Sequence, residues 1–178
     1  MGTQVFRDHV AMPWPNGAGI TYEVTRSPAT GDFDWRISLA DIDNDGPFSV
    51  LEGVDRWIVL MEGEYMILAD GETTHRIEEH VPFFFPGEIA FDCTLGFGQA
   101  RDLNIMTRRG NVDSNVRVLT EGSHDIDAGT NDINIFVGLT GETEVEEETL
   151  EYRDAAIITG NQLVTTTGSF AHILLRTI

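Results

Sequence analysis

Lysine is absent from this sequence, so each of its 11 strong positive charges is an arginine. Cysteine occurs once, at Cys93, which excludes an internal disulfide and makes a reducing, cytoplasmic location the expectation. No apolar run approaches the roughly 20 residues that a membrane-crossing helix needs. The N-terminus, Met1 to Arg7, has no basic region followed by an apolar stretch, so no signal peptide is expected. Phe6 also stands where a myristoylation signal needs Ser or Thr. Helical periodicity is missing as well, since no stretch of about 12 residues carries apolar side chains at i, i+3, i+4 and i+7. Neither a Gly-x-Ser-x-Gly turn nor a phosphate-cradling loop leading into a helix is present.

What the chain does have is acid. Its 30 Asp and Glu against 11 Arg give a formal charge of −19 over 178 residues. That average field repels nucleic acid and anionic membranes, so neither is an expected partner. A cluster of arginines inside such a field then stands out. The length fits one domain or two small halves sharing a core, and 41% hydrophobic residues suffice to fold.

Alternation with a period of two recurs, with Gly, Asp and Pro punctuation between the runs. Phe33, Trp35, Ile37 and Leu39 alternate with Asp34, Arg36, Ser38 and Ala40. Arg56–Met61 reads as a buried strand that turns at Glu62-Gly63 and returns through Tyr65–Ala69. Asp70-Gly71 fits a type I′ hairpin turn. Strands are also expected at Pro82–Phe85, Ile89–Leu95, Leu103–Thr107 and Val116–Leu119. Later come Ile133–Leu139, Thr143–Glu147, Leu150–Tyr152, Ala155–Thr159 and Ala171–Thr177. Strand, Gly turn, strand, then an apolar strand closing in a Gly turn occurs twice, first around Gly63 and Gly87, then around Gly141 and Gly160. The expected fold is all-β and cupin-like, with two β-barrel or sandwich halves in one chain (a bicupin). Residues 1–120 form the first half and 121–178 the second, packed as one compact unit.

Asp41-Ile42-Asp43-Asn44-Asp45-Gly46, with Glu52 beyond it, spells an EF-hand calcium loop. The flanking residues alternate as strands rather than helices, which favours a solvated connection. The five histidines, His9, His75, His80, His124 and His172, avoid the strands where a cupin holds its metal, and none forms a histidine-x-histidine pair. No metal or other cofactor is therefore expected. Cys93 alternates with Phe91 and Leu95 and reads as a buried structural thiol.

Polar residues on strand faces that should be apolar are the strongest functional signal. Arg36 and Ser38 share one face of their strand, Asp102, Asn104, Met106 and Arg108 share another, and Arg56 enters a strand that is otherwise apolar. In a cupin one face of each strand lines the lumen. Each Arg could be held in an internal ion pair with Asp102, Asp55 or Glu23. Together, guanidiniums with a carboxamide and a hydroxyl suit a carboxylate ligand.

The same residues carry a resemblance. Met12-Pro13-Trp14-Pro15-Asn16-Gly17-Ala18-Gly19-Ile20-Thr21 and Phe33–Ala40 resemble blocks of the HutD/Ves family, as do Asp45-Gly46-Pro47-Phe48-Ser49, Gly53-Val54-Asp55-Arg56 and Asp102–Gly110. The resemblance implies a bicupin without the usual metal ligands and a link to histidine utilisation, with formylglutamate or urocanate as ligand. Where the family usually has Trp-Lys-Asn-Gly, this chain has Pro15 in place of the Lys, leaving Trp14 and Asn16 as stacking and hydrogen-bonding candidates. The expected ligand set is thus Trp14, Asn16, Arg36, Ser38, Arg56, Asn104 and Arg108, and the expected partner is a small anionic metabolite. Two roles fit: a sensor or governor that only binds, and a metal-free isomerase or hydrolase with Asp102 or Glu23 as base. A third, a structural or protein-interaction module, would require a lumen filled by side chains. A homodimer is among the assemblies the sequence allows.

Overall fold

The computed structural model describes residues 3–127, 129 and 131–178. Met1 and Gly2, where the reading of the N-terminus begins, lie outside the described residues. Among those described, every regular element is a strand. The first are Gln4–Phe6 (β1), Val10–Pro13 (β2), Gly19–Ser27 (β3), Trp35–Ile42 (β4), Gly46–Pro47 (β5) and Val54–Glu62 (β6). Tyr65–Ala69 (β7), Thr74–Glu78 (β8), Phe83–Pro86 (β9), Asp92–Leu95 (β10) and Ala100–Arg108 (β11) follow. The remainder are Val112–Ile126 (β12), Ile133–Thr140 (β13), Thr143–Val145 (β14), Glu148–Leu150 (β15), Ala155–Thr159 (β16) and Gln162–Thr177 (β17).

The strands group into two compact units. His9–Arg109 holds a six-stranded sheet, ordered β2-β3-β4-β11-β6-β9, and a four-stranded sheet, ordered β5-β10-β7-β8. Ala40, Ile42, Ile58 and Leu60 from the larger sheet pack with Met66, Leu68, Ile77 and Cys93 from the smaller one. That shared core gives the unit its barrel-like form. The central strands read as apolar runs because both of their faces are buried: Ile37, Leu39, Val59, Leu103 and Ile105 on one face are as fully covered as Ile58 and Leu60 on the other. Cys93 is buried as expected, and burial pushes its thiol up to about 12.

The other unit joins the N-terminal residues through Asp8 to Gly110–Ile178. Its sheet runs β1-β16-β13-β17-β14-β15, with β12 pairing β17. Phe136, Phe170, Val145, Leu150 and Val164 form its core.

Two expectations need correction. A division at residue 120 would cut β12, which pairs β17 on both sides of that point, Thr120 with Ser169 and, after a register shift, Gly122 with Thr166. The units divide at Gly110 instead, and β1 belongs with the later strands because it pairs β16. Asp70-Gly71 is not a type I′ turn, which needs positive φ at both residues. Only Gly71 is positive, at 90°, and the connection from β7 to β8 runs over Asp70 to Thr73. The Asp70 carboxylate holds that loop by accepting from the Glu72 and Thr73 amides.

Candidate ligand-binding cavity

Within the His9–Arg109 unit, the face of the larger sheet that looks towards the smaller one is apolar at one end and polar at the other. Register produces the polar end. Across β4 and β11, Ser38 stands opposite Asn104, Arg36 opposite Met106 and Ala40 opposite Asp102. Across β11 and β6, Met106 stands opposite Arg56. Two bulges adjust the row: a register shift between Arg101 and Asp102 against β6, and another between Glu23 and Thr25 against β4. Each lies beside a carboxylate that serves one of the arginines, Asp102 or Glu23. Bulges re-aim side chains in this way.

The polar row lines a cavity of about 450 Å³. Arg36, Ser38, Arg56, Asp102, Asn104 and Met106 form its floor, Trp14, Pro15, Asn16 and Thr21 one wall, and Pro47, Phe48, Ser49 and Leu51 another. The lumen is therefore not filled by side chains.

Arg56 is only 3% exposed. Its Nη2 donates to the Asn104 Oδ1 at 2.6 Å, and its Nη1 donates to the Ser49 carbonyl at 3.1 Å. The guanidinium lies 5.2 Å from the Phe48 ring centroid and 5.0 Å from that of Phe85, which replaces lost hydration with cation–π attraction. Burial lowers its affinity for the proton to about 10, so it stays charged at neutral pH. Its Nε–H has no partner. Asn104 turns its amide nitrogen to the Asp102 Oδ1 at 2.6 Å. Asp102 is fully buried, and its Oδ2 has no partner. Burial pushes this carboxyl up to about 7, against the pull of Arg56 and the Asn104 hydrogen bond. A buried carboxylate and a buried guanidinium, bridged by one amide, thus keep one free hydrogen-bonding atom each.

Arg36 is less deeply set and is held by Glu23, whose carboxylate accepts from its Nε at 2.7 Å. Trp14 donates from Nε1 to the Thr21 hydroxyl at 2.8 Å and packs on the core, so it is both an anchor and a wall. Asn16 accepts from the Ala18 amide at 3.0 Å, which makes it the residue that shapes the turn.

The model of the HutD family matches residues 6–174. The chain belongs to the HutD family. Protein Ves of Citrobacter koseri is 47% identical over 108 residues, 59% of this chain and 56% of that one. The matched region thus spans little more than half the length of that curated relative. The structure of HutD from Pseudomonas fluorescens SBW25 superposes with a TM-score of 0.90 at 31% identity, over 99% of this chain and 100% of that one. A conserved protein of unknown function from Pseudomonas aeruginosa PAO1 gives 0.84 at 27%, over 99% of each. The fold is the cupin-like one that these and more distant structures share.

Six of the seven expected HutD site residues line the cavity: Trp14, Asn16, Arg36, Ser38, Arg56 and Asn104. Arg108 is not among its lining residues. It lies at the end of β11, with its guanidinium 5.6 Å from the ring centroid of Phe33, and Phe33 is itself a wall residue. Alternation assigned Arg108 to the correct face, but the cavity does not extend that far along the strand. Among the three acids offered as arginine partners, Glu23 holds Arg36, Asp102 reaches Arg56 through Asn104, and Asp55 serves Arg109. Pro15 also lines the wall. Phe48, Ser49 and Leu51 were absent from the expected site. The Asp45–Ser49 block of the resemblance was the available signal, since it marks a wall-forming loop.

The EF-hand pattern is dispersed. Asp41 pairs with Arg101, Asp43 accepts from Gln99, and Asp45 accepts from the Leu95 amide. Among the described residues no group of three or more His, Cys, Asp or Glu is placed to share an ion. No helix among them is long and apolar enough to cross a membrane.

Proposed function

We propose that this HutD-family chain is a binding protein for a small carboxylate metabolite. The observation that carries the reading is Arg56, a charged guanidinium buried at the floor of a cavity with an Nε–H still unused. A carboxylate oxygen is the natural acceptor for such a group. Arg36 and Ser38 add a second cation and a hydroxyl on the same floor, and Trp14 and Phe48 supply ring faces for the rest of the molecule.

The ligand class extends to histidine utilisation, with formylglutamate or urocanate as the candidates and a sensor or governor as the role. The family name supports this, as does a Pseudomonas putida relative described as lying in the hutC 3′ region, 39% identical over 103 residues. A cytoplasmic setting belongs to the same reading and rests on the single, buried Cys93.

Thermal shift tests it, with wild type and Arg56→Lys against formylglutamate, urocanate and glutamate. A ligand at about 100 times its Kd stabilises the wild type by roughly 2.7 kcal/mol, several degrees in a chain of this size. The Lys variant keeps the charge but loses the fork, so its shift should shrink. If none of the three acids moves the wild-type midpoint, the reading fails.

A second reading, a metal-free enzyme, is favoured by Asp102. A buried carboxyl near 7 with an unbonded Oδ2 at a cavity floor has the properties of a general base. Product formation from the same acids, followed by NMR and lost in Asp102→Asn, would select it.

A further inference from the structure

Above about pH 7, where Asp102 is ionised, the charged groups at the cavity floor cancel. Arg36 is answered by Glu23 at 2.7 Å, and Arg56 is answered through Asn104 by Asp102. A carboxylate ligand entering this site would therefore add a negative charge to a buried space that already balances, a costly state where dielectric screening is weak. One group can restore the balance. Asp102 is 0% exposed, uses Oδ1 to accept from Asn104, and has no hydrogen-bond partner at Oδ2.

We infer that an anionic ligand is taken into the cavity together with one proton, which Asp102 accepts at Oδ2. The O–H bond forms there, the proton comes from solvent, and Arg56 passes from serving Asp102 to serving the ligand. Asn104 keeps its orientation throughout, because its amide nitrogen still finds Oδ1 and its oxygen still finds Arg56. This rests on the reading of the cavity as a carboxylate site and makes Asp102 the residue that sets the charge the site accepts.

The surroundings fit that role. The charges that act on Asp102 are those of Arg56 on β6 and Asp41 on β4, and Asp41 is itself bound to Arg101. Cys93 on β10 feels the Asp102 charge but holds its own proton up to about 12, so it cannot be the titrating group. Burial already brings Asp102 to about 7, and an added anion nearby pushes it further in the same direction.

Calorimetry in buffers of different ionisation enthalpy tests the inference, with formylglutamate and formate as probes, because neither titrates near neutral pH. At pH 8 wild-type binding should take up about one proton, and Kd should rise about tenfold per pH unit above roughly 7. Asp102→Asn, isosteric and uncharged, should bind with no proton uptake and a flat Kd between pH 6 and 9. Binding to wild type without proton uptake overturns the inference and leaves the carboxylate reading standing, and this holds even if the variant fails to fold. An unchanged pH slope in Asp102→Asn also overturns it, because another group would then be the acceptor. No heat with either probe at any pH removes both.

Discussion

The Nη2 of Arg56 donates to the Oδ1 of Asn104 at 2.6 Å, and this bond fixes which way the buried amide faces. Its other end has only one productive use, donation to Asp102. Replacing Asn104 with Ala leaves the Arg56 Nη2 and the Asp102 carboxylate without partners at once, while Arg56 keeps only its Nη1 bond to the Ser49 carbonyl. Each buried group left without a partner costs about 1–3 kcal/mol, so urea unfolding should show a loss of roughly 2–4 kcal/mol. A loss below 0.5 kcal/mol (about the level of an ordinary surface change) would mean that the bridge does not operate.

Asp102 should weaken the fold as pH rises. Its folded value, about 7, is above the ordinary 3.8, so between those values the native state holds a proton that the unfolded chain has released. Its contribution is complete below about 4 and is lost as pH climbs through 7, a swing of a few kcal/mol. Urea midpoints at pH 5 and pH 8 should therefore fall more steeply for wild type than for Asp102→Asn. Parallel curves would contradict this.

His172 should act in the opposite direction. Its Nδ1 accepts from the Arg117 Nε at 3.0 Å and its Nε2 faces the Asn134 Oδ1 at 2.8 Å, an arrangement that needs the neutral ring. Burial, then the nearby Arg117 charge, lowers it from 6.5 to about 4. The unfolded chain takes up a proton first, so stability is lost as pH falls from 6.5 towards 4, by roughly 3 kcal/mol. An imidazole titration followed by NMR should find His172 neutral at pH 5. A midpoint near 6.5 would refute the buried network. Because His172 and Asp102 oppose each other over the same range, the whole protein's pH profile should be flatter than either alone.

Gly19 should resist substitution. A Cβ there would sit 2.3 Å from the Asp41 carbonyl and 3.1 Å from the Trp14 ring, so Gly19→Ala must part β3 from β4 or displace the cavity wall. A loss of about 1–3 kcal/mol is expected, together with a shift in tryptophan emission. Wild-type stability and emission in the variant would show that Trp14 has more room than its contacts indicate.

Much of this was legible in one dimension. Period-two alternation is a property of each strand alone, so the all-β fold could be read from segments such as Trp35–Ala40 and Tyr65–Ala69. The same rule marked Arg36, Ser38, Arg56 and Asn104, because a polar side chain on an apolar face stands out without knowledge of what lies opposite. The early strands β1 and β2 and the outer strand β8 were missed. Their residues are exposed or half-buried with one exception, Ile77, and such a strand has little alternation to display.

Tertiary structure alone decided the rest, since the deciding quantities are distances between residues far apart in sequence. Whether Arg56 served Asp55 or Asp102 depended on register and on an amide 48 residues away. Where the cavity ends, and so why Arg108 falls beyond it, depended on how two sheets close over a common space. The limit of β12 was set by its ladder to β17, which no local pattern at residue 120 could reveal. Local chemistry determined which side chains needed an explanation, and long-range packing determined which partners each of them received.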